Sequence, residues 1–145
     1  MSILGNLFGA KGRIKGIDHA AIVVSDMDRS VRFYTETLGF EILSDGRKDG
    51  GERKTFLGSN SRALLALTEN ASRLNDPGDY CEGVNHLAFE VDDIAVMSKR
   101  LEEKGVEFTE IKKDSDGNAA AYHFLDPDGL ELEICADTGG EVPQY

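Results

Sequence analysis

Apolar residues in this chain come in short runs of two kinds, strand-like and helix-spaced, and the order of the kinds repeats. GIDHAAIVVSD (16–26) reads as a strand, with Ile17, Ala20, Ala21, Ile22, Val23 and Val24 crowded around His19. SDMDRSVRFYTETLG follows with helical spacing, placing Met27, Val31, Tyr34 and Leu38 on one face. Asp26 stands where a side chain accepts from the orphan amides of a first turn, and Gly39 supplies a left-handed stop. Three more strand-like runs complete the series: FEILSD (40–45), ERKTFLG (52–58) and RALLALT (62–68).

The whole series then returns. GVNHLAFEVDD (83–93) places His86 67 positions after His19. In VDDIAVMSKRLEEKG the residues Ile94, Met97 and Leu101 share a face, Asp92 or Asp93 caps the start, and Gly105 ends it. VEFTEIK (106–112), AAAYHFL (119–125) and LELEICA (130–136) are the closing strands. Asp-Gly pairs at 45–46 and 116–117, and DPDG at 126–129, supply turns between them. The pattern predicts an α+β chain of two tandem βαβββ modules in a single domain over 16–137. Module one is 16–69 and module two 83–137, with a linker at 70–82, an N-terminal arm at 1–15 and a tail at 138–145.

Strand parity sorts the faces. Leu87, Phe89 and Val91, with Leu130, Leu132 and Ile134, form faces suited to packing under helices. His86, Ala88 and Glu90, with Glu131, Glu133 and Cys135, oppose them and line a polar concavity. At the offset of 67, Ala66 corresponds to Glu133.

A chain of 145 residues, 40% hydrophobic and 30% charged, suits one soluble globular domain. A net charge of −11 speaks against nucleic-acid or anionic-membrane partners, since both would be repelled. The arm MSILGNLFGAKGRIK carries three positive charges but lacks the apolar run of a signal peptide. Cys81 and Cys135 without such a signal point to reduced thiols in a cytoplasm.

Paired βαβββ units, with a histidine in each opening strand and a glutamate in a closing one, resemble the vicinal oxygen chelate superfamily. This superfamily includes glyoxalases, extradiol dioxygenases, fosfomycin-modifying thiol transferases and bleomycin-binding proteins. RSVRFYTETLGFE and FLDPDGLELEI carry the resemblance most specifically, and it covers about 16–137. It implies an incomplete barrel around a divalent metal, with ligands at His19, Ala66, His86 and Glu133. Alanine cannot ligate, Thr68 lies roughly 6.6 Å along the strand, and Glu69 has the wrong parity. What remains is His19, His86 and Glu133, a two-histidine, one-carboxylate set with open positions, suited to Fe2+, Mn2+, Zn2+ or Ni2+.

His123, ten positions before Glu133, matches the place where extradiol dioxygenases keep a substrate-facing tyrosine. It is a candidate acid or base, with Tyr122 of opposite parity as its competitor. Arg47, Lys48, Arg53 and Lys54 offer charge to an anionic substrate, as do Lys112 and Lys113; Glu90 is a strand end about 13 Å from His86. The resemblance implies a metal-dependent enzyme, leaning to dioxygenase-like chemistry on a small molecule with adjacent oxygens. Its alternatives are a glyoxalase I-like lyase and a metal-free, ligand-sequestering protein of the bleomycin-resistance type. By the same analogy the chain pairs as a homodimer, with the barrel closed within one chain or shared between two.

Overall fold

Each half of the chain folds into a four-stranded sheet with a helical segment after its first strand. The computed structural model describes residues 12, 14, 16–48, 54–70 and 84–142. Most of the expected arm and linker, with Arg53 and Cys81, therefore lie outside the described residues. The first half contains β1 (Ala20–Val24), α1 (Met27–Arg32), a π-helical turn (Phe33–Thr37), β2 (Glu41–Asp45), β3 (Lys54–Ser59) and β4 (Arg62–Glu69). The second contains β5 (Leu87–Val91), α2 (Ile94–Glu103), β6 (Glu110–Lys113), β7 (Ala119–Leu125) and β8 (Glu131–Ala136).

The strand orders are β1-β4-β3-β2 and β5-β8-β7-β6. In each half the first strand runs parallel to the last, so the helical segment serves as part of the crossover that a parallel pair requires. The registers repeat as well. Ala21 pairs with Ala66 and Ala88 with Glu133, while Phe56 pairs with Ala66 and His123 with Glu133. All these correspondences keep the offset of 67, so the two halves are copies at the level of individual strand partners.

Asp26 and Asp93 cap the helices, accepting from the amides of Arg29 and Val96. Of the two aspartates proposed for the second cap, Asp93 does the work. Gly39 and Gly105 follow with φ of +83° and +84°, the left-handed geometry expected of stops. The first helix departs from its expected form. Beyond Arg32 it widens into a π turn, in which the Leu38 amide reaches back to the Phe33 carbonyl. The Thr35 hydroxyl donates to the Val31 carbonyl at 2.8 Å, a competing bond that favours such a local irregularity. β6 also starts late, at Glu110 rather than Val106. The Val106 amide is spent on the Leu101 carbonyl, tying that residue to the end of α2.

One apolar cluster spans both halves. Met27, Val31, Tyr34, Leu57, Leu65 and Leu67 from the first join Leu101, Phe124, Leu132 and Ile134 from the second. Full burial of each aliphatic side chain contributes about 1.5–3 kcal/mol. The DPDG turn fastens the halves together. Tyr34, fully buried, donates its hydroxyl to Asp126 Oδ2 at 2.8 Å. Burial, and then the neighbouring Asp126 carboxylate, push the Tyr34 phenol far above its ordinary range. Asp128 receives the amide and hydroxyl of Ser25 and the guanidinium of Arg29. These acids have structural tasks, as a turn motif suggests.

Candidate metal centre

His19 and His86 each sit one residue before their strand rather than inside it. A residue at a strand mouth keeps its side chain near the sheet's edge, and both rings remain about one-third exposed, at 36% and 32%. Their neighbours differ. His19 Nδ1 lies 2.7 Å from Asp18 Oδ2, and the His19 ring meets the edge of Phe56 at 5.8 Å. His86 Nδ1 lies 2.8 Å from Asn85 Oδ1, and the His86 ring meets His123 at 5.4 Å. Phe56 and His123 are themselves equivalent by the offset of 67, so the two halves build one constellation twice.

In the second half that constellation is polar. His86 Nε2 lies 3.0 Å from Glu133 Oε2, and His123 Nε2 lies 3.3 Å from the same oxygen. Glu133 and His123 are almost wholly buried, with side chains 2% and 3% exposed. A buried carboxylate requires positive or donating neighbours, and here two imidazoles converge on it. Glu131 closes the arrangement from the other side, its Oε1 2.7 Å from His123 Nδ1. In the first half the same places hold His19, Phe56 and the fully buried Ala66. The chemistry is concentrated in one copy of the repeat.

The structure brings His86 and Glu133 together and leaves His19 on the other sheet beside Phe56. Among the described residues, no group of three or more His, Cys, Asp or Glu side chains is arranged so as to hold a metal ion. The donors that do converge fit a divalent ion in kind: one carboxylate and two imidazole nitrogens, of which His123 Nε2 is buried without a hydrogen bond. Tyr122 packs on Phe108 at 4.8 Å, on the face opposite His123. Arg47 is taken up by Asp45 and Asp28, and its hydrogen bond holds the Asp45 carboxyl down at about 2. Lys54 lies over the Phe56 ring, and Glu90 is exposed. Cys135 is buried with its thiol against the Phe89 carbonyl.

Asn85 and Phe56 escaped the reading of the sequence, and Glu131 entered it only as a residue of the polar face. The offset of 67 between Phe56 and His123 was the available signal for that pair. Glu131 shares parity with Glu133, but its hold on His123 crosses strands diagonally and needs the β7–β8 register.

A model of the Glyoxalase/Bleomycin resistance protein/Dioxygenase superfamily matches residues 16–134. The chain belongs to this superfamily. Within it, the chain is 33% identical over 125 residues to the uncharacterized protein YwkD of Bacillus subtilis, covering 83% of this chain and 96% of YwkD. It is 31% identical over 125 residues to the glutathione transferase FosA of Serratia marcescens, covering 83% of this chain and 80% of FosA. The crystal structure of a glyoxalase family protein from Enterococcus faecalis aligns with a TM-score of 0.67 at 32% identity, over 83% of this chain and 97% of that one. Superfamily members commonly use a divalent metal. No helix among the described residues is long and apolar enough to cross a membrane.

Proposed function

We propose that this member of the superfamily is a divalent-metal-dependent enzyme acting on a small molecule with adjacent oxygens. The observation that carries the reading is the convergence of His86 and Glu133 at 3.0 Å on a buried, polar sheet face. His19 joins this centre from a second copy of the chain, in a homodimer whose barrel is shared between subunits. What favours the shared arrangement is that His19 keeps company with Phe56 and Asp18 within its own chain.

A bound divalent ion supplies Lewis acidity, drawing electron density from two neighbouring substrate oxygens. The chain's own residues do the rest. Glu133 and His86 fix the ion's position, and burial of Glu133 keeps water from competing for its charge. Ala66 leaves open the position that would otherwise carry another carboxylate, and this vacancy favours dioxygenase-like chemistry, which needs room for a second reactant. A glyoxalase-like lyase is the second reading, favoured by His123, whose buried nitrogen faces the same oxygen as His86.

Elemental analysis of untagged protein purified without chelator tests the proposal. About one equivalent of iron, manganese, zinc or nickel per chain is expected, with none in His86→Ala. A metal-free protein that binds small ligands unchanged by added metal would instead mark a sequestering protein.

A further inference from the structure

We propose that His123 is a metal ligand, contributed together with His86 and Glu133 by the second half of the chain. This rests on the metal-dependent reading above.

The argument begins with protons. An ionised Glu131 carboxylate can only accept, so His123 Nδ1, 2.7 Å away, donates to it. The side-chain oxygen of Asn85 likewise accepts from His86 Nδ1 at 2.8 Å. With each Nδ1 so engaged, Nε2 is the ring atom left to bind a proton or a metal ion, and both Nε2 atoms turn towards Glu133 Oε2. A divalent ion at this point would bind both ring nitrogens and the carboxylate oxygen at once. Metal-ligating histidines show this same pattern, with the far nitrogen donating to a carboxylate or carbonyl that fixes tautomer and ring direction.

Distances agree. Bonds of about 2.1 Å put neighbouring ligand atoms about 3.0 Å apart at right angles and about 3.4 Å apart at tetrahedral angles. The observed separations from Glu133 Oε2 are 3.0 and 3.3 Å. Two imidazoles on one tetrahedral ion have ring centres about 5.2 Å apart; the His86 and His123 rings stand 5.4 Å apart. The side chains are closed on one another rather than spread around a point, and an ion enters by small rotations of His86, the more exposed ring. Of all the described side chains, His123 is the buried imidazole whose Nε2 makes no hydrogen bond.

The test titrates metal-free protein with Co2+, following heat and visible absorption, for the unaltered chain and for His123→Phe and Glu131→Ala. Phenylalanine already occupies the equivalent place at position 56, so it suits this site in size. His123→Phe is expected to weaken Co2+ binding more than about 100-fold, and Glu131→Ala by about 10- to 100-fold. A His123→Phe protein that binds Co2+ within threefold of the unaltered chain, with the same spectrum, overturns the proposal and leaves the metal reading standing. An unaltered chain that binds no Co2+ overturns both. Nitrogen NMR of the unaltered chain with Zn2+ gives an answer independent of how the variants fold. The Nε2 signals of His86 and His123 should both move on binding; movement of His86 alone contradicts the assignment.

Discussion

Glu131 holds the buried ring of His123 through Nδ1 at 2.7 Å, while the ring's Nε2 faces Glu133 Oε2 at 3.3 Å. The equivalent ring in the first half is Phe56, packed against His19 and Ala66. A duplicated scaffold therefore sets two imidazoles and a buried carboxylate together in one copy, where the other has one imidazole beside a phenyl ring and a methyl group. Apolar groups of matching shape in place of a hydrogen-bonded set are nearly neutral for a fold, because they need no partners.

Position 66 offers a direct probe of that asymmetry. Ala66→Glu places a carboxylate at a fully buried position between Ala21 and Phe56. Without metal it should lose about 3–5 kcal/mol, the usual cost of an uncompensated buried charge. If position 66 faces the shared centre, added Mn2+ recovers part of the loss and metal affinity rises. Denaturant melts with and without Mn2+ measure both, and a deficit untouched by metal contradicts the placement.

The clasp between halves predicts a pH effect. The Tyr34 phenol ordinarily ionises at 10.0, but burial and Asp126 raise it in the folded chain. Above pH 10 the unfolded chain therefore holds fewer protons than the folded one, and stability falls as pH rises. The stabilisation is complete below pH 10 and is lost as pH climbs towards the folded value, at up to about 1.4 kcal/mol per pH unit. Tyr34→Phe removes the bond to Asp126 at a cost of about 1–3 kcal/mol near neutrality. The gap between the two proteins should narrow in urea melts at pH 10 and 11; a constant gap would contradict the assignment.

Helix capping separates two adjacent acids. Asp93→Ala removes the side chain that accepts from the Val96 amide and should cost about 1 kcal/mol. Asp92→Ala, at an exposed position, should change stability by less than about 0.5 kcal/mol. Thermal melts of the pair decide the matter, and equal losses would count against Asp93 as the cap.

Sequence periodicity carried the architecture further than it carried the site. Strand parity put Leu132 and Ile134 in the core and Glu133 on the opposite face because a two-residue period leaves no third choice. The repeat offset matched Ala66 to Glu133, and the two stand at equivalent places, opposite Ala21 and Ala88. The π turn at Phe33–Thr37 was not legible, since it accompanies a Tyr34 contact with a residue 92 positions away. Asn60 and Ser61, with φ of 51° and 60°, form a tight hairpin turn whose two left-handed residues lack the usual glycine signal. His19 was grouped with His86 and Glu133 by resemblance, yet within one chain it stands beside Phe56. Sequence matching by repeat position identifies equivalent places in two sheets, and equivalence is not proximity.

Metal-linked stability is the most direct test of the central claim that His86 and Glu133 hold a divalent ion. Calorimetric unfolding should show a gain of about 2.7 kcal/mol when metal is present at 100 times its dissociation constant. His86→Ala, melted under the same conditions, should show no such gain. Equal stabilisation of both proteins, or none in the unaltered chain, would contradict the account.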